Sequence, residues 1–72
     1  MLVITGNAMT NSGPCERILF LNSSWELEAS VIPDENGKFI FQANDDSYTV
    51  IFNGPMKLET KVYYNVKPIN IK

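Results

Sequence analysis

Two clusters of oxygen-bearing side chains flank one short apolar run in "PDENGKFIFQANDDSYTVIF", residues 33 to 52: Asp34, Glu35 and Asn36 before it, Asn44, Asp45 and Asp46 after it. Carboxylates and amides are the donors a calcium ion takes. "DENG" is loosely like an EF-hand loop, but that motif needs ligands at alternating positions through twelve residues and a closing Glu. Here Phe39 and Phe41 occupy strand positions instead. The clusters sit at opposite ends of one extended segment. About five residues at ~3.3 Å each set them ~15 Å or more apart, too far to share an ion. One cluster alone offers too few ligands for a tight site, so no metal is expected.

Other chemistry fares less well. The chain has no His, so a Ser or Cys nucleophile has no imidazole base. Cys15 is the lone cysteine, followed by Glu16; a neighbouring carboxylate raises a thiol pKa. One Cys without His cannot hold zinc, and a lone Cys cannot form an internal disulfide. Glu26 and Glu28, two apart, and Asp45 with Asp46 are the carboxylate pairs. A glycosidase needs such a pair across a sugar-sized cleft, and a chain this short has little room for one. Trp25 and Tyr63 are the aromatics expected at the surface, where a ring can stack on a base or a sugar. Trp25 follows the "NSS" corner and is expected at a rim, more as a lid over the core than as a ligand platform. No catalytic residue and no cofactor is expected, and the chain is read as a non-enzyme.

The bulk numbers agree. At 72 residues the chain makes one domain over 1–72. A domain so small buries about 60% of its unfolded surface, and such domains commonly gain stability from disulfides, metals or association. With the first two set aside, oligomerisation or a larger assembly remains. The net charge of −2 gives no reason to expect nucleic acid, whose binding rests on Lys and Arg. Four of the six cations, Lys57, Lys61, Lys67 and Lys72, fall in the last sixteen residues and are expected on outward faces and sheet edges, where Lys discourages aggregation. "MLVITGNAM" has no cationic lead and only a short apolar run, so no export signal is read there. No segment is long and apolar enough for a membrane span. Synthesis and retention in the cytoplasm are expected.

The elements that must position these residues are strands. Gly, Pro, Asn and Ser interrupt the chain about every ten residues, and the stretches between are rich in Val, Ile, Phe, Tyr and Thr, the pattern of a sandwich or barrel. Strands are predicted at 2–9, 16–21, 25–32, 38–43, 47–53, 60–65 and 68–71. Alternation assigns faces. Expected in the core are Leu2, Ile4, Ile18, Phe20, Phe39, Phe41, Tyr48, Val50 and Phe52, the row Trp25, Leu27, Ala29, Val31, and the row Val62, Tyr64, Val66. Leu19, Leu21, Ile40, Ile51 and Tyr63 are left facing outward, a sizeable apolar second face that marks a contact with another chain. "NSGP", "NSS" and "NGP" are turns. Asp34 to Gly37 reads as a hairpin corner, with Gly37 at positive φ and the Asp34 side chain closing the turn.

The order of these signals resembles the carboxypeptidase regulatory-like, or prealbumin-like, family of seven-stranded Greek-key sandwiches. A first strand ends in Gly6; "SGP", "ERILFLN", "WELEASV", "DENGKFIF" and "DDSYTVIF" follow. The family's D-x-x-G-x-F-x-F run fits Asp34, Gly37, Phe39 and Phe41, and its Y-x-V strand fits Tyr48 and Val50. The likeness spans almost the whole chain. It departs at "QANDDS", where many members carry a Leu-Pro-Pro-Gly-like turn, and in its brevity. The resemblance implies an all-β, small antiparallel Greek-key β-sandwich of about seven short strands. It also implies a non-catalytic role: an accessory domain in peptidases, a spacer or adhesion module on bacterial surfaces, or a small module of phage tails, fibres and heads. Pro14, Glu16, Arg17, Leu19 and Leu21, then Glu26 and Leu27, look like the phage versions. Without an export signal or a host enzyme, a phage virion subunit is the use expected.

The expected function is therefore a non-catalytic structural or adhesive module acting on other protein subunits, as a homo-oligomer or in a larger assembly. Its interaction surface is drawn from Leu19, Leu21, Trp25, Ile40, Ile51 and Tyr63. Two alternatives stand beside it. One is a carbohydrate-binding or cell-surface accessory module using Trp25, Tyr63 and the acidic loops. The other is a small acidic inhibitor of a host protein.

Overall fold

The computed structural model describes residues 1–71, so Lys72 and its expected place at the surface lie outside the described residues. The chain is all-β apart from one turn of 3-10 helix at Lys57–Glu59, which has no apolar periodicity to announce it. Its strands are β1 (Leu2–Asn7), β2 (Met9–Thr10), β3 (Gly13–Pro14), β4 (Arg17–Leu21), β5 (Leu27–Val31), β6 (Lys38–Gln42), β7 (Tyr48–Asn53), β8 (Lys61–Val66) and β9 (Ile69–Asn70). The long strands other than β5 fall on segments rich in β-branched and aromatic residues. The expected first strand stops early. The Asn7 side chain accepts the Met9 N–H at 2.9 Å, an Asx turn that breaks the ladder, and β2 and β3 then form a small separate hairpin across Gly13 at φ 114.

Two antiparallel sheets face each other, β6-β1-β9 and β5-β4-β7-β8. β5 hands the chain to the first sheet and β6 hands it back, so β4 and β7 become neighbours although two strands separate them, a Greek-key connection. Ile18 and Phe20 on β4 are fully buried. Phe20 stacks on Phe41 of the facing sheet at 4.2 Å between ring centroids, and Tyr48 meets both rings edge-on. Phe52 closes the other end against Phe39 at 5.7 Å. Aromatic pairs of this kind add about 0.5–1.5 kcal/mol each beyond their burial, which suits a core with few side chains.

Six face assignments change, at three places. Leu2, expected inside, lies at the open end of β1 and is exposed, while Val3, flanked by Gln42 and Ile69, is buried. Trp25 and Leu27, expected inside, are exposed. β5 begins only at Leu27, and a bulge against Phe20/Leu21 pairs Leu27 with Leu21 instead of leaving it in phase with Ala29. Val62 and Tyr64, expected inside, are exposed, and Tyr63, expected outside, faces the inner side. A second bulge lies between Tyr48 and Val50, so that Tyr48 pairs with Val66 but Val50 with Tyr63. One extra residue exchanges the faces of every residue beyond it. Asn65, at φ 56, is that residue.

Asp34 to Gly37 is a tight corner but not a hairpin between paired strands: β5 and β6 belong to different sheets. Asp34 Oδ1 accepts from the N–H groups of Asn36 and Lys38, both at 2.9 Å, and Gly37 takes φ 80. The Ala8 N–H donates to the Gly37 carbonyl at 2.6 Å, so the corner is clamped on the end of β1.

Candidate functional site

The acidic loops are occupied with holding the fold. Asn22 Oδ1 accepts from the N–H groups of Ser24 and Glu26 at 2.9 and 3.0 Å, which builds the corner before β5. Asn22 Nδ2 donates to Glu28 Oε2 at 3.1 Å, and the Tyr48 hydroxyl donates to Glu28 Oε1 at 2.9 Å. That hydroxyl also accepts from the N–H groups of Asn44 and Asp45, at 2.8 and 3.0 Å. Asp45 Oδ2 accepts from both the N–H and the hydroxyl of Ser23, at 2.9 and 2.6 Å. The network laces the 22–28 corner to the 43–48 loop. It holds the Asp45 carboxyl below its ordinary pKa, chiefly through the Ser23 hydroxyl and then the N–H groups of Ser23 and Asp46. Burial, more than any neighbour, pushes the Tyr48 phenol up. Among the described residues no three His, Cys, Asp or Glu gather where they could hold a metal.

Above this network lies a cleft of about 260 Å³. Two of its lining residues, Trp25 and Tyr64, meet edge-on, their ring centroids 6.4 Å apart and their planes at 62°. Both rings are largely in solvent, Trp25 64% and Tyr64 69% exposed. The floor is Tyr48 and Thr49, and Ser47 and Asn65 stand at the rim. A lid over the core would be covered on its inner face, so Trp25 is not the lid the sequence suggests. Its partner is Tyr64 and not Tyr63.

The six residues expected to share a surface are dispersed. Leu19, Leu21 and Ile51 lie together on the outer face of the four-stranded sheet and are half-buried. Leu27 and Val62, 58% and 42% exposed, extend that face to its two edge strands. Ile40 is exposed on the outer face of the opposite sheet, paired with Thr5. Tyr63 packs edge-on to Phe52 at 5.4 Å and lines a groove of about 400 Å³ with Cys15 and Leu58. Cys15 is buried, and its thiol is pushed up first by burial and then by Glu59, not by Glu16.

Sequence reasoning missed Tyr64 and Glu28. For Tyr64 a signal exists: "YYNV" breaks alternation at an Asn, the residue type after Gly that best tolerates positive φ. For Glu28 there is none, because an acid on a strand looks like any solvated position until Tyr48 is placed beside it. Comparison with known proteins brings no match: no family model, no curated protein and no solved structure is significantly similar to the chain.

Proposed function

We propose that the protein is a non-catalytic structural or adhesive module that works through contact with other protein subunits, in the first place a second copy of itself. One observation carries the reading: the outer face of β5-β4-β7-β8 is apolar along its middle. An antiparallel sheet in a sandwich normally turns polar side chains to solvent on its outer side. Here Leu19, Leu21, Leu27, Ile51 and Val62 share that face with two small hydroxyl residues, Ser30 and Thr49, and Arg17 sits at its end, donating to Ser30. A surface that is apolar along its middle, with its charge at one end, has little to repel an identical one, and a two-fold contact lets the same patch serve on both subunits. Contiguous exposed apolar surface of this kind marks interaction sites.

The motif order that resembles the carboxypeptidase regulatory-like family favours the same role, and within it we place the chain among small phage virion subunits of tail, fibre or head. Sedimentation of the wild-type chain and of Ile51→Lys tests the contact. The wild type is expected to run as an oligomer and the variant as a folded monomer. A wild-type chain that stays monomeric at high micromolar concentration overturns the proposal.

A further inference from the structure

We propose that the cleft beside the Trp25–Tyr64 pair binds the ring of a neutral sugar. Trp25, at φ 62, and Asn65, at φ 56, are the non-glycine residues at positive φ among those described, and both line this one cleft. For a bulky aromatic residue such a backbone is an outlier, and strain of this kind collects where a side chain must be held for a ligand. Here it does one visible thing: it turns the Trp25 ring away from the core and sets it across from Tyr64.

The lining selects the ligand. Two exposed aromatic rings at 62° offer a face and an edge to the C–H side of a pyranose, as aromatic platforms do for bases. The carboxylates beside the cleft are already engaged, Asp45 by Ser23 and Glu28 by Tyr48 and Asn22. They call for neither a cation nor a basic group. The Ser47 hydroxyl and the Asn65 amide enter none of those bonds and stand at the rim, able both to donate to and to accept from sugar hydroxyls. At about 260 Å³ the cleft falls below the ~300–1,000 Å³ of drug-sized pockets, which suits one small ring and not a length of peptide. The corner is set in advance, since the Trp25 N–H donates to the Asn22 carbonyl at 2.9 Å and the Asn22 side chain holds Ser24 and Glu26. A ligand therefore need not order the loop it meets.

Trp25 is the single tryptophan of the chain, so its emission reports on the cleft alone. The test titrates the full chain at millimolar concentration with neutral oligosaccharides of glucose, galactose, mannose and N-acetylglucosamine, and with an unstructured peptide as control. At least one sugar is expected to shift the emission saturably. Tyr64→Ala should weaken that sugar by about tenfold or more, the size of a lost stacking contact. Trp25→Ala, followed by saturation-transfer NMR on the same sugar and checked for fold by circular dichroism, should abolish binding. Ile51→Lys changes a residue that does not line the cleft and should bind sugar as the wild type does, which separates this site from the subunit contact. The proposal is overturned if no sugar in the panel saturates, if Tyr64→Ala binds undiminished, or if the peptide produces the same shift.

Discussion

The Tyr48 hydroxyl donates to Glu28 Oε1 at 2.9 Å while accepting the N–H groups of Asn44 and Asp45. One oxygen so joins a bulged edge strand to the loop that follows β6. Tyr48→Phe keeps the ring against Phe20 and Phe41 but removes all three bonds. Two backbone donors then lose their partner and the Glu28 carboxylate one of its two, a cost of about 1–3 kcal/mol. The midpoint of thermal unfolding should fall by roughly 4–8 °C for each kcal/mol lost in a domain of this size. Glu28→Gln, which leaves an acceptor for the hydroxyl, should fall less. An unchanged midpoint in Tyr48→Phe would show that the loop does not depend on this oxygen.

Much of this fold was legible beforehand, for a definite reason. The long strands rest on composition and on Gly, Pro and Asn punctuation, both written into the chain. Ile18, Phe20, Phe39, Phe41, Tyr48 and Val50 were placed correctly because alternation holds without interruption along β4, β6 and β7. It fails along β8, where Asn65 adds a residue, and at the start of β5, where the bulge moves Leu27. A single extra residue leaves no trace in composition, yet it exchanges Tyr63 and Tyr64 between faces. The aromatic wall of the cleft was hidden for that reason, although Trp25 at the rim was not.

Gly37 tests the corner. It sits at φ 80, and a Cβ there would come within 2.8 Å of the Met9 nitrogen and 3.0 Å of Asn7 Oδ1. Gly37→Val should therefore cost at least about 2 kcal/mol, from a β-branched residue in the left-handed region plus the clash. Gly13→Ala is the control. Its φ is 114 and nothing lies within 4 Å of the added carbon, so backbone strain of about 1–3 kcal/mol is at stake without any clash. Urea midpoints compare the two. EDTA should move neither, because Asp34 Oδ1 spends its lone pairs on Asn36 and Lys38.

Asp45 sets a pH dependence whose sign follows from its lowered pKa. The unfolded carboxyl titrates at about 3.9 and the folded one lower, so between the two values the unfolded state binds more protons and stability rises with pH. The contribution is complete above the unfolded value and disappears as pH falls through the folded one. Ser23→Ala removes the hydroxyl that contributes most to the shift. Its stability should differ from the wild type near neutrality and converge with it in acid. A difference that stays constant down to strong acid would show that Ser23 acts through packing and not through this carboxylate.

Cys15 should react slowly. Its thiol is buried and pushed up by burial and by Glu59, and only the thiolate attacks a disulfide reagent. In native buffer near pH 8 the reaction should run far behind that of the urea-unfolded chain. Glu59→Gln should speed it only slightly, since Glu59 is the smaller of the two causes. Fast native reaction would mean that the groove under Leu58 opens readily.

Trp25 offers the sharpest comparison, because backbone preference and side-chain contact pull in opposite directions. An alanine at φ 62 keeps the left-handed penalty of about 1–2 kcal/mol, whereas glycine escapes it and gives back roughly 0.4–1 kcal/mol in unfolded-state entropy. Trp25→Gly should therefore be at least as stable as Trp25→Ala, the reverse of the usual order. Because the ring is 64% exposed, both should lie within about 1–2 kcal/mol of the wild type, against the ~3–5 kcal/mol expected for Phe20→Ala in the core. Urea unfolding of the four proteins decides it. If Trp25→Gly falls as far as Phe20→Ala, the ring is holding the fold together and the strain at its backbone serves stability. If it does not, residue 25 keeps a strained tryptophan that the fold does not require, and the strain serves to hold the ring beside Tyr64 at the cleft.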